Sequence, residues 1–114
     1  MKSYTDVEQG KILSDMLPHE SADFSWRASF NGETNRWEYN FVPVPHYFQS
    51  YIGVPCWSLT ALIRSIPNGK IVNCGDSWTC GSGNDLQTYF ETNADNPIDA
   101  CVEMIIQLKQ DNLL

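Results

Sequence analysis

Two runs of strict alternation, FSWRASF over residues 24–30 and RWEYNFV over 36–42, constrain the fold of this chain more than any other stretch. In the first, Phe24, Trp26, Ala28 and Phe30 recur at every second position, separated by Ser25, Arg27 and Ser29. In the second, Trp37, Tyr39 and Phe41 alternate with Arg36, Glu38 and Asn40. Side chains two apart share one face of a strand, so each run is a strand with an aromatic face and a polar face. Between them, Asn31-Gly32-Glu33-Thr34-Asn35 carries an Asn-Gly turn signal, and the whole predicts a β-hairpin. Its aromatic face is expected on the core.

Three segments have helical spacing instead. Thr5-Asp6-Val7-Glu8 has the form of a capping box, with Thr5 as the cap and Glu8 reaching back. Ile12, Leu13, Met16 and Leu17 then share one side, Pro18 ends the run, and Gly10 weakens its interior. In VPCWSLTALIRSIP (54–67), Pro55 is expected to begin a helix anchored by Leu59, Leu62, Ile63 and Ile66. In the last segment Asn96 is the N-cap, Pro97 takes the first helical position and Asp99 lies in the first turn. Ile98, Cys101, Val102, Ile105, Ile106 and Leu108 form its apolar stripe.

Shorter strands are expected at KIVNC (70–74), SWTC (77–80) and LQTYFET (86–92), with a Gly75-Asp76 turn between the first two and a glycine loop, CGSGND, at 80–85. The Pro-rich stretch from Pro43 to Pro55 reads as an irregular connection or a strand edge, because proline cannot donate to a ladder. The order is α-β-β-α-β-β-(β)-α over a single domain, residues 1–114. The expected class is α+β, a small antiparallel sheet packed against two or three amphipathic helices.

Charge narrows the partners. With 14 acidic against 7 basic residues the net charge is −7, the wrong sign for gripping a phosphate backbone or an anionic membrane, so no nucleic acid is expected. A nucleic-acid mimic needs an ordered acidic stripe, whereas these acids are scattered through turns and helix starts. No apolar run approaches the roughly 20 residues of a membrane span. The opening MKSYTDVEQG is polar, with no signal-peptide core after it, so a cytoplasmic location and free thiols are expected.

Three separated stretches, YTDVEQGKILSDMLPHESAD (4–23), PCWSLTALIRSIP (55–67) and NPIDACVEMIIQL (96–108), together resemble a family of small uncharacterised proteins of Bacteroides-type gut bacteria, their phages and mobile elements. The resemblance extends over nearly the whole chain. It implies a cytosolic accessory protein and carries no catalytic residues with it.

Candidate chemistry is sparse. Cys56-Trp57 at the start of a predicted helix is placed like the nucleophile of papain-type thiol proteases, but those enzymes put their histidine after the cysteine. Here no histidine follows His46. A small cysteine-dependent hydrolase or transferase would therefore pair Cys56 with His46 in the reverse order. On the helical count Cys56 borders the apolar arc, which favours a core cysteine. No metal site is expected, since Cys56, Cys74, Cys80 and Cys101 form no C-x-x-C pair and the histidines at 19 and 46 stand far apart. Cys74 and Cys80 are spaced to face one another across a short hairpin. His19-Glu20 lacks the second histidine of a metalloprotease helix and reads as a solvated turn. CGSGND lacks the lysine and helix of a phosphate loop. No cofactor is implied.

That leaves the aromatics not claimed by a core face: His46, Tyr47, Tyr51, Trp57 and Trp78. Exposed aromatics offer large contact area at low entropy cost. The sequence is thus read as a non-enzymatic module that binds another protein through these residues.

Overall fold

The computed structural model describes residues 2–39, 44–45, 53–83 and 89–114. Its elements are α1 (Val7–Ser14), a 3-10 turn (His19–Ser21), β1 (Phe24–Asn31), β2 (Arg36–Tyr39), β3 (Val44–Pro45), β4 (Gly53–Cys56), α2 (Leu59–Arg64), β5 (Lys70–Asn73), β6 (Trp78–Ser82), β7 (Phe90–Ala94) and α3 (Pro97–Gln110). They form the α+β architecture the sequence predicts, with two small antiparallel sheets in place of one.

In the first sheet β1 is the hub. Its outer half pairs with β2, from Asn31↔Arg36 to Ala28↔Tyr39. Its inner half pairs with β3 (Phe24↔Pro45) and with β4 (Phe24↔Cys56 to Arg27↔Gly53). The second sheet runs β5-β6-β7, with Cys80 opposite both Ile71 and Thr92. Helix α3 lies across β6 and β7 and touches α2, while α1 rests on β4. The core between these layers holds Leu13, Leu17, Trp57, Leu62, Ile66, Cys80, Ile98, Cys101, Met104, Ile105 and Leu108. The 3-10 turn puts exposed His19 and Glu20 in water, as a solvated turn should.

Helix α3 starts as its sequence dictates: Asn96 Oδ1 accepts from the Asp99 backbone N–H at 2.9 Å, and Pro97 follows the cap. The other two helices start elsewhere than predicted. In α1 the capping box is formed by Asp6 and Gln9, not by Thr5 and Glu8. Asp6 Oδ1 accepts from Gln9 N–H (2.8 Å) and Gln9 Oε1 accepts from Asp6 N–H (3.0 Å). Thr5 is not free to cap, because it is fully buried and its hydroxyl accepts the backbone N–H of Trp57 at 3.0 Å. The helix ends at Ser14, and Leu17 reaches the core from the turn beyond it, whereas Ile12 is 42% exposed.

Helix α2 does not start at Pro55. Pro55 and Cys56 belong to β4, where the missing N–H of a proline is tolerated on an edge strand. The N-cap is Ser58, whose Oγ accepts from Ala61 N–H (3.3 Å). Asp23 holds that cap in place, its two oxygens accepting from Ser58 N–H (2.9 Å) and Ser58 Oγ (2.5 Å). β7 begins at Phe90 and runs to Ala94, so the predicted strand at 86–92 overlaps only its first half; residues 86–88 lie outside the described set.

Candidate functional site

The hairpin tip is built by two asparagines. Asn31 Oδ1 accepts from Glu33 N–H (2.9 Å) and Thr34 N–H (3.4 Å), while Asn35 takes the left-handed conformation (φ 57°) that closes the turn. Asparagine tolerates this region because its short polar side chain bonds locally. Gly32, despite following an asparagine, is not the residue with positive φ.

Register then decides what each face shows. Ser29, Asn31, Arg36 and Glu38 share the polar face, where Asn31 Nδ2 donates to Glu38 Oε1 at 3.1 Å. On the other face Phe30 lies directly opposite Trp37, with ring centroids 5.6 Å apart and planes at 63°. This is the edge-to-face arrangement favoured by the ring quadrupoles.

The face is covered only at its inner end. Phe24 meets Tyr4 edge-on at 5.0 Å, and Trp26 Nε1 donates to the Thr5 carbonyl at 2.8 Å. Towards the tip the structure records no contact from another described element, and Phe30 and Trp37 are 52% and 55% exposed. The expectation that the whole aromatic face lies on the core therefore fails for its outer half. The residues that supply the cover, Tyr4 and Thr5, meet β1 at Phe24 and Trp26, and an eight-residue strand extends about 26 Å, well beyond them.

Of the binding residues expected from the sequence, the two described ones, Trp57 and Trp78, do not lie on this hairpin. His46, Tyr47 and Tyr51 lie outside the described residues. Trp57, expected to point away from the core, is instead fully buried, with Nε1 donating to Ser21 Oγ at 2.9 Å. The helical count misplaced it because it follows a strand, and from that strand end its ring enters the core. Trp78 is half-buried at the start of β6, between Asn73 and Ala94.

Cys56 is also fully buried, its thiol donating to the Thr5 carbonyl at 3.5 Å. Burial, aided by the negative charge of Asp23, pushes its pKa up to about 12. A thiol nucleophile needs the opposite, a lowered pKa and access to substrate. The observation that suggested an enzyme is thereby removed. Cys74 and Cys80 leave opposite faces of their hairpin: Cys74 is exposed with its sulfur 3.4 Å from Thr79 Oγ1, whereas Cys80 is buried in the core together with Cys101 of α3. All four cysteines are free thiols. The neighbouring Cys80, together with burial, raises the pKa of Cys101. In the glycine loop, Gly81 and Ser82 belong to the ladder of β6, and Ser82 Oγ donates to the Pro67 carbonyl at 2.6 Å.

A concavity of about 440 Å³ opens beside the start of α3 among Asp95, Asp99 and Glu103. Asp99 is already engaged there. Its Oδ1 accepts from Lys2 Nζ (2.9 Å) and Gln9 Nε2 (2.7 Å), and its Oδ2 from Asn96 Nδ2 (2.8 Å). Among the described residues no group of three or more His, Cys, Asp or Glu side chains is placed to hold a metal ion. No helix among them is long and apolar enough to cross a membrane.

Comparison with family models, with curated proteins and with solved structures finds no match.

Proposed function

We propose that this chain is a non-catalytic protein-binding module whose contact surface is the outer half of the β1–β2 hairpin. One observation carries the reading: two large aromatic rings, each more than half exposed, are held opposite one another by strand register beside the polar turn of the hairpin. Rigid aromatic anchors of this kind lose little entropy when a partner covers them. The resemblance to proteins of phages and mobile elements supports a cytoplasmic accessory protein. The acidic net charge of −7 supports a protein partner over a nucleic acid.

The test is a photo-crosslinking phenylalanine analogue at position 30, in cells expressing the chain, with position 109 as control. Lys109 is exposed on α3, on a different element. A discrete protein adduct from position 30, absent from position 109 and lost on adding Trp37→Ala, is expected. Equal labelling from both positions, or none, overturns the reading.

A further inference from the structure

We infer that the partner covering this surface is a second copy of the chain, joined β2 to β2 in antiparallel about Trp37. The inference rests on the binding reading above and specifies its partner. Among the described residues, β2 pairs only with β1, and no described strand lies on its other edge. Such an edge is a template for one more strand.

Register selects the occupant. Directly opposed residues in an antiparallel ladder must turn their amides the same way, so a two-fold axis has to pass through a residue and not between two. An axis at Arg36 sets Arg36 against itself, and one at Glu38 sets Glu38 against itself; both juxtapose like charges. An axis at Trp37 sets Arg36 of each copy opposite Glu38 of the other, twice over. Such an arrangement is self-complementary, as an isologous interface requires. Glu38 is partly oriented for this by Asn31, which holds one of its oxygens, and Arg36 makes no ion pair with any described residue. On the opposite face the same axis brings the two Trp37 rings together, flanked by the two Phe30 rings that already contact them. Aromatic and opposite-charge cross-strand pairs are both favourable in sheets.

The contact is small, within the class below about 1,200 Å², so association is expected to depend on concentration. Sedimentation equilibrium should show a monomer–dimer equilibrium for the wild-type chain. Arg36→Glu alone and Glu38→Arg alone should each weaken dimerisation by roughly tenfold or more, because each places like charges opposite one another twice. An equimolar mixture of the two variants should restore the dimer, since every opposed pair is again of opposite sign. In the wild-type chain, amide exchange in β2 should slow as concentration rises, a readout that needs no variant.

A wild-type chain that stays monomeric at about 1 mM overturns the inference. So does a dimer indifferent to both charge changes. A position-30 adduct with a different protein, alongside a monomeric chain, overturns the second copy as partner and leaves the binding reading standing. The absence of both adduct and dimer removes the two together.

Discussion

Thr5 and Trp57 are bonded twice: Thr5 N–H donates to the Trp57 carbonyl and Trp57 N–H to Thr5 Oγ1, both at 3.0 Å. The carbonyl of Thr5 accepts from Trp26 Nε1 and from the Cys56 thiol. One buried threonine thus ties the N-terminal segment to β1 and to the end of β4. Thr5→Val keeps the shape and removes the acceptor, leaving a buried N–H unpaired. A loss of about 1–3 kcal/mol is expected, measured as a lower urea midpoint with unchanged slope. Thr5→Ser should retain most of the stability.

Two glycines should respond with opposite signs. A Cβ on Gly10 would run into the Pro55 carbonyl oxygen and lie 2.7 Å from Val54 Cγ1. Gly10→Ala is expected to cost about 1–3 kcal/mol through overpacking, although alanine is the better helix former. Around Gly32 nothing lies within 4 Å, and its φ is not positive. Gly32→Ala should be neutral or stabilise by up to about 1 kcal/mol, by narrowing the unfolded ensemble. Thermal melts of both variants give the comparison.

The thiols should label in an order set by burial. Near neutral pH, iodoacetamide is expected to modify Cys74 alone in the folded chain and all 4 cysteines in denaturant. Mass spectrometry of the digests reads the sites. Modification of Cys56 at the rate of Cys74 would contradict its burial and its raised pKa.

Acid should act through the Lys2–Asp6–Asp99 cluster. Burial alone would raise both carboxyls, but it is outweighed by hydrogen bonds: from Gln9 N–H and Lys2 to Asp6, and from Lys2, Gln9 and Asn96 to Asp99. Both are held below the ordinary value of 3.8. A carboxyl with a lowered folded pKa contributes its full stability above the unfolded value, and the contribution disappears as pH falls through the folded value. Stability should therefore fall below pH 3.8, and Asp99→Asn should flatten that limb while lowering stability modestly at neutral pH. The effect is screened because the side chains remain partly in water. Urea midpoints across the acid range, for the wild type and the variant, test the slope.

Much of this was legible in the residues. The parity of the hairpin, the cap of α3 and its apolar stripe follow from spacing, and the structure reproduces them. What spacing cannot carry is the extent of cover. Phe30 and Trp37 stand on the face that alternation assigns to the core, yet Tyr4 and Thr5, which cover Phe24 and Trp26, sit at the other end of β1. Nor does spacing reveal competition for a side chain. Thr5 satisfies the pattern of a helix cap, but the unpaired N–H of Trp57, 52 residues away, takes its hydroxyl. Periodicity starting at Pro55 looked helical because Leu59, Leu62 and Ile66 are helical. Asp23, distant in sequence, fixes the true start at Ser58.

The bond between Lys2 and Asp99 joins residues 97 positions apart, and that from Gln9 to Asp99 spans 90. Contacts of such separation close very large loops, so they form only after local elements and the hairpin have ordered the chain between them. The beginning of the polypeptide is therefore expected to settle late. Changes at Lys2 or Thr5 should speed unfolding and leave the folding rate nearly untouched, so that the first residues act as the latch on a fold assembled without them.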